Sequence, residues 1–157
     1  MNKPFVHLRC LSSYSLSEST LKINKLVNLA KQNNMPALAI VDNNNMFGVF
    51  EFSQECIKNN IQPIIGTSVN LLDIKTKNKT SQISFLVKNE IGYKNLIYLS
   101  SLSYLNESSE LGIQLKDLQD HSEGLFCFLG GEFNPLLILY EENKKVDDFI
   151  NLLKNLF

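Results

Sequence analysis

Apolar residues fall in short blocks along this chain, and their spacing switches between a strand-like and a helix-like period. Phe5 to Cys10 is brief, apolar and β-prone, which predicts a buried strand. The SEST run at 17 to 20 offers N-cap hydroxyls ahead of a helix with Leu21, Leu26, Val27, Leu29 and Ala30 on its buried side. That helix is expected to stop near Asn33 and Asn34, because asparagine tolerates the left-handed cap conformation and Pro36 forbids continuation. Ala37 to Val41 reads as a fully buried parallel strand. A second helix is predicted from about Met46 to Lys58, with Phe47, Phe50 and Ile57 at helical spacing, and Ile61 to Val69 returns as a strand.

Strand, helix, strand, helix, strand is the βαβ rhythm of an α/β protein, with right-handed connections. The rhythm breaks between Asn70 and Val87. There KTKNKT at 75 to 80 reads as an exposed turn between two strands, so a β-hairpin is expected near residues 69–88. Helices are predicted over 90–104, 115–119, 135–140 and 146–156, and a strand over Gly124 to Leu129. No repeat, low-complexity tract or linker interrupts the chain, so residues 1–157 are expected to form a single domain.

Composition narrows the function classes. A chain of 157 residues, 44% hydrophobic and 20% charged, is long enough for a sizeable core and ordinary for a globular protein. A net charge of −1 creates no field that would gather a polyanion, which argues against sequence-independent DNA binding by this segment alone. The lysines of KTKNKT read as a solvated loop before they read as phosphate contacts. Cys10, Cys56 and Cys127 are odd in number and widely separated, which predicts reduced thiols of a cytoplasmic protein and neither disulfides nor a zinc knuckle. There is no signal-peptide core, and no apolar run is long enough to cross a bilayer.

Several chemistries lack their residues. Neither G-x-G-x-x-G nor G-x-x-x-x-G-K-[ST] is present, so the backbone cradle for a pyrophosphate is missing, and Gly130-Gly131 reads as a tight turn. Serines cluster in SSYS at 12–15 without a nucleophile elbow, and His7 and His121 are the only imidazoles in the chain. His7, beside apolar neighbours, reads as a structural histidine, and His121, in a polar DHSE turn, as an exposed one. Asp42, at the C-terminal end of a predicted strand, is the best candidate for a site residue. One carboxylate alone does not build a metal-dependent hydrolase, so the preferred role is an ionised group that pairs with a cation or caps a turn.

The blocks FVHLRCLSSYS at 5–15, MPALAIVDNNNMFG at 35–48, IQPIIGTSV at 61–69, NEIGYKNLIYLSSLSY at 89–104 and DHSEGLFCFLGG at 120–131 occur in an order that resembles a known family. It is the polymerase-and-histidinol-phosphatase (PHP) domain, in the form that opens the alpha subunit of bacterial DNA polymerase III. The resemblance implies a (β/α)7 barrel of which this chain supplies the first part and leaves the rest incomplete. It also implies a parent protein that is a DNA-directed DNA polymerase, acting in replication and engaging DNA through its other domains. The implied partners of this segment are the rest of the alpha subunit and the proofreading exonuclease (epsilon) subunit, with no membrane.

Metal-binding relatives carry H-x-H on the first strand, Asp-His after the second and Glu after the third. Matched residue by residue, those positions hold Arg9 and Leu11, then Asp42 and Asn43, then Ser68. A guanidinium has no lone pair to give and repels a cation, so the expectation is a vestigial site without metal or other cofactor and a segment inactive by itself. Arg9 is expected to fill the vacated volume and pair with Asp42. The rival function is a metal-dependent phosphoesterase with a nonstandard ligand set around His7 and Asp42.

Overall fold

The computed structural model describes residues 5–76, 79–105, 110–131 and 133–157. It is a mixed α/β structure with a four-stranded sheet in the order β1-β2-β3-β4, where β1 is Ala37–Asn43, β2 Gln62–Lys75, β3 Thr80–Val87 and β4 Leu125–Phe128. The helices are α1 (Ile23–Gln32), α2 (Val49–Lys58), α3 (Glu90–Leu105), α4 (Pro135–Glu141) and α5 (Val146–Leu156). Two compact units divide the chain, one up to Thr67 and one from Ser68 onward.

The first unit is built on β1, which is buried on both faces along Leu38 to Asp42 as a strand inside a βαβ unit should be. Leu38 and Ile40 share one core with Ile23, Leu26, Val27 and Ala30 of α1 and with Val49, Phe52 and Cys56 of α2. Helix α1 ends as its sequence predicts, with Asn33 as cap and Asn34 in the left-handed region at φ 53°. Its start differs: Lys22 is the N-cap residue and makes no side-chain cap. The SEST residues are instead drawn into the preceding loop, where Ser19 Oγ donates to the Leu11 carbonyl and Leu21 N donates to Ser19 Oγ. The amide of Gln62 donates to the carbonyl of Pro36, so β1 and β2 begin side by side, as a parallel crossover requires.

Two expectations for this unit fail for the same reason, that a strand or helix face is buried only where another element covers it. Phe5 to Cys10 is extended but forms no regular strand. His7 and Cys10 carbonyls accept from the amides of Ala39 and Val41, so three residues on one side span two on the other. This extra residue breaks the ladder as a bulge does, and it leaves Phe5 66% exposed. On α2 the apolar residues lie on two faces. Val49, Phe52 and Cys56 are buried, whereas Phe50 and Ile57 are 77% and 62% exposed, as is Phe47, 68%, just before the helix. Leu29 of α1 is exposed as well.

In the second unit β3 and β4 pair antiparallel with Phe85 opposite Cys127. β2 and β3 neighbour each other as the predicted hairpin demands, although residues 77–78 of its turn lie outside the described residues. Helix α3 packs on β3 and β4 through Leu96 and Leu99, and Ile83, Phe85, Leu125, Ile138 and Phe149 complete the interior. Phe157 stacks on Phe85 with centroids 5.5 Å apart. The predicted short helix is a 3-10 turn over Leu115–Leu118, held by a reciprocal Gln114–Asp117 capping box.

A joint between glycines ties two of the sequence blocks together. Asn89 Oδ1 accepts from the Gly92 amide at the start of α3, and Gly92 sits so close to Gly124 that a Cβ would come within 1.8 Å of the Gly124 carbonyl oxygen. That carbonyl accepts from Lys88 N, and Asn95 Nδ2 reaches the carbonyl of Glu123. Gly124 itself needs φ +74°, which suits glycine. Gly92→Ala should therefore force the backbone apart and cost about 3 kcal/mol or more, read as a lower urea midpoint in equilibrium unfolding.

Burial also sets the thiols. Cys56 is fully buried and pushed up to about 12 from its ordinary 9.0, first by burial and then by the charge of Glu55; burial pushes Cys127 up to about 12. The folded thiols stay protonated where the unfolded chain ionises, so stability is intact below about pH 9 and declines toward pH 12. Chemical denaturation across that window should show the decline, and Cys56→Ala should flatten part of it.

Candidate functional site

At its C-terminal end β1 carries Asp42 into the interior, 2% exposed. A carboxylate taken from water must recover its lost hydration from donors close by. The SSYS segment supplies them. Asp42 Oδ1 accepts from the Ser12 amide at 2.7 Å and from Ser15 Oγ at 2.6 Å, while Oδ2 accepts from Ser12 Oγ at 2.7 Å. Charge-assisted bonds of this length are the strong kind. The same hydroxyls also receive: Ser12 Oγ accepts from Tyr14 N and Ser15 Oγ from Asn43 N.

A second layer holds the strand end in place. Thr67 Oγ1 lies 2.7 Å from the Asp42 carbonyl and 2.9 Å from the Asn45 carbonyl, and Asn45 Nδ2 donates to the carbonyls of Tyr14 and Asn43. Tyr14 rests over Gly48, where a Cβ would stand 2.8 Å from the Tyr14 ring. Its phenol donates to Glu51, and that bond and the carboxylate's charge push the Tyr14 ionisation upward. Asn43 Nδ2 donates to Glu18 Oε2, leaving Asn43 Oδ1 buried without a hydrogen-bond partner among the described residues.

The structure brings Asp42 and Asn43 together with Ser12, Ser15 and Glu18, which the sequence alone did not single out as partners. Among the described residues the expected Arg9–Asp42 ion pair is not found. The partners of Asp42 are hydroxyls and an amide, and Arg9 is exposed. The physical reason lies at the carboxylate, which recovers its hydration from the Ser12 and Ser15 donors. Leu11 is partly buried, and its carbonyl receives Ser19 Oγ. Ser68, in the second unit, is fully buried with its hydroxyl 2.7 Å from Ser84 Oγ. His7 is exposed and edge-on to Phe5, at a ring separation of 4.7 Å. His121 is more constrained than its polar turn suggests, stacked on Tyr98 at 4.0 Å with Nδ1 3.2 Å from the Asp117 carbonyl.

The residues present do not fit a metal ion. Both oxygens of Asp42 are engaged by donors, Asn43 offers one amide oxygen, and Arg9 and Leu11 have no side-chain lone pair to give. Among the described residues no three His, Cys, Asp or Glu side chains gather in a group that could hold a cation. The serine hydroxyls bond to a buried carboxylate and not to an imidazole, so a Ser–His pair is not formed here among the described residues. Removing the second-layer hydroxyl by Thr67→Val should leave two buried carbonyls short of a donor and cost about 1 to 3 kcal/mol, seen as a lower urea midpoint with an unchanged m-value.

Comparison with known proteins agrees with the block pattern. The PHP domain family model matches residues 7–157. The chain is 39% identical over 152 residues to the DNA polymerase III subunit alpha of Rickettsia felis, covering 92% of this chain and 12% of that protein. With the same subunit of Rickettsia bellii it shares 35% identity over 162 residues, covering 100% of this chain and 14% of that one. The chain thus spans a small part of the curated relatives it matches. A solved amidohydrolase from Chromobacterium violaceum is a looser neighbour, at TM-score 0.46 and 16% identity over 62% of this chain and 32% of that one.

Proposed function

Because the chain belongs to the PHP domain family, we propose that it serves as the non-catalytic PHP segment of a replicative DNA polymerase III alpha subunit, working in the cytoplasm as a platform for the polymerase. One observation carries the non-catalytic part of this reading. The carboxylate that remains from the family's ligand set has both oxygens committed to Ser12 and Ser15, and the other ligand positions hold Arg9, Leu11, Asn43 and Ser68. Templated nucleotidyl transfer then belongs to the remainder of such a subunit, which is where DNA would be engaged. The proposed partners are that remainder and the proofreading exonuclease (epsilon) subunit.

The phosphoesterase alternative needs His7 and Asp42 to converge on a metal with further donors. The exposed setting of His7 and the three hydrogen bonds already made to Asp42 weigh against it. Metal analysis of the purified, dialysed protein is expected to find no stoichiometric zinc or manganese, with no phosphodiester hydrolysis. Stoichiometric metal in the unmodified chain would overturn the platform reading and restore the phosphoesterase.

The incomplete (β/α)7 barrel is the second element of this proposal. Its support is β4, the last strand in the sheet order, whose far edge meets no strand among the described residues and whose Phe126 and Phe128 are exposed. Phe50 and Ile57 on α2, with Phe47 just before it, add apolar surface. Size-exclusion chromatography of the 157-residue chain should show self-association or a low thermal midpoint. A clean monomer with a sharp transition at high temperature would show instead that the sheet is sufficient as it stands.

A further inference from the structure

The loop from Leu11 to Leu21 is closed on itself as well as onto β1. Ser13 N donates to the carbonyl of Leu21, and Ser19 Oγ to that of Leu11, so the two ends of the loop are tied together. Between them successive turns run through Ser15, whose carbonyl accepts from both Glu18 N and Ser19 N, and Ser17 takes φ 65° at the tip beside the exposed Leu16. A compact loop of this size with its ends joined is an Ω-type loop. Its inward side carries Ser12 and Ser15, and both reach Asp42.

We propose that Leu11–Leu21 is a strap latched onto Asp42 by Ser12 and Ser15, and that this latch has taken over from a bound cation as the partner of the carboxylate. The inference deepens the metal-free reading given above and rests on it. The two hydroxyls and the Ser12 amide occupy three of the carboxylate's roughly four lone-pair positions, both of those on Oδ1 among them. A cation loaded there would have to compete with the strap for the carboxylate, whose Oδ1 already accepts two hydrogen bonds and whose Oδ2 accepts one. Closure instead fixes Tyr14 over Gly48 and places the Tyr14 carbonyl where Asn45 can donate to it, which carries the latch to the start of α2.

A latch of this kind needs an acceptor and does not need a ligand. In Asp42→Asn the retained Oδ1 can still accept from the Ser12 amide and Ser15 Oγ, and the new amide nitrogen can donate to Ser12 Oγ, which as a hydroxyl can accept. In Asp42→Ala all three donors are stranded. Amide hydrogen exchange on the full 157-residue chain separates the cases. In Asp42→Asn, exchange at Ser12, Ser13 and Ser15 should stay within about threefold of the parent, whereas Asp42→Ala should raise it about tenfold or more while Ala39 to Val41 keep their protection.

Ser15→Ala, which removes one hydroxyl and leaves the carboxylate, should give the same local loosening to a smaller degree. It carries the test if Asp42→Ala does not fold. Equal loosening in Asp42→Asn and Asp42→Ala, or unchanged exchange over 11–21 in both Asp42→Ala and Ser15→Ala, would overturn the latch. Metal content of the parent chain is a separate measurement, so failure of the latch and failure of the metal-free reading are distinguishable.

Discussion

A buried carboxylate has to be satisfied, and the first unit of this protein is arranged around satisfying Asp42. The residue cannot turn toward water, because β1 is covered on both faces where it carries the side chain inward. Three donors from a loop some thirty residues earlier in the chain therefore come to it. Holding those donors in turn fixes the loop's turns, the position of Tyr14 over Gly48 and the bond from Asn45 that leads into α2. Long-range order follows from the need to solvate one charge with protein groups.

The second unit solves a different constraint, the close approach of a helix to a turn. Gly92 and Gly124 have no side chains where α3 meets the lead-in to β4, Lys88 and Asn95 bond across the contact, and Asn89 caps the start of the helix. Two segments distant in sequence thus act as one joint. With the helix start fixed, Leu96 and Leu99 are delivered onto β3 and β4, whose inward residues Phe85 and Leu125 complete the same layer.

Apolar surface left uncovered is the third feature of the molecule. Phe47 just before α2, Phe50 and Ile57 on it, Ile91, Ile97 and Leu105 on α3, and Phe126 and Phe128 on β4 all face outward. Periodicity alone cannot distinguish such positions from core positions, since both faces of these elements carry large apolar residues. This is why Val49, Phe52 and Cys56 form the buried face of α2 while the residues that first suggest an amphipathic helix lie outside.

The sequence by itself determined the element order, because period and punctuation are local: Asn34 in the left-handed cap, Pro36 after it, Asn134 and Pro135 opening α4, and the apolar run of β1 all act within a few residues. It also determined that Arg9 and Leu11 offer no side-chain lone pair to a cation, while Asp42, Asn43 and Ser68 can, since donor chemistry is a property of residue type. Tertiary structure alone decided what surrounds Asp42. Nothing in the spacing of SSYS indicates that two of its serines reach a carboxylate on a strand some thirty residues later. Register and loop closure depend on which backbone groups meet across the fold, and that pairing is set by the packing of whole elements, not by any local run of residues.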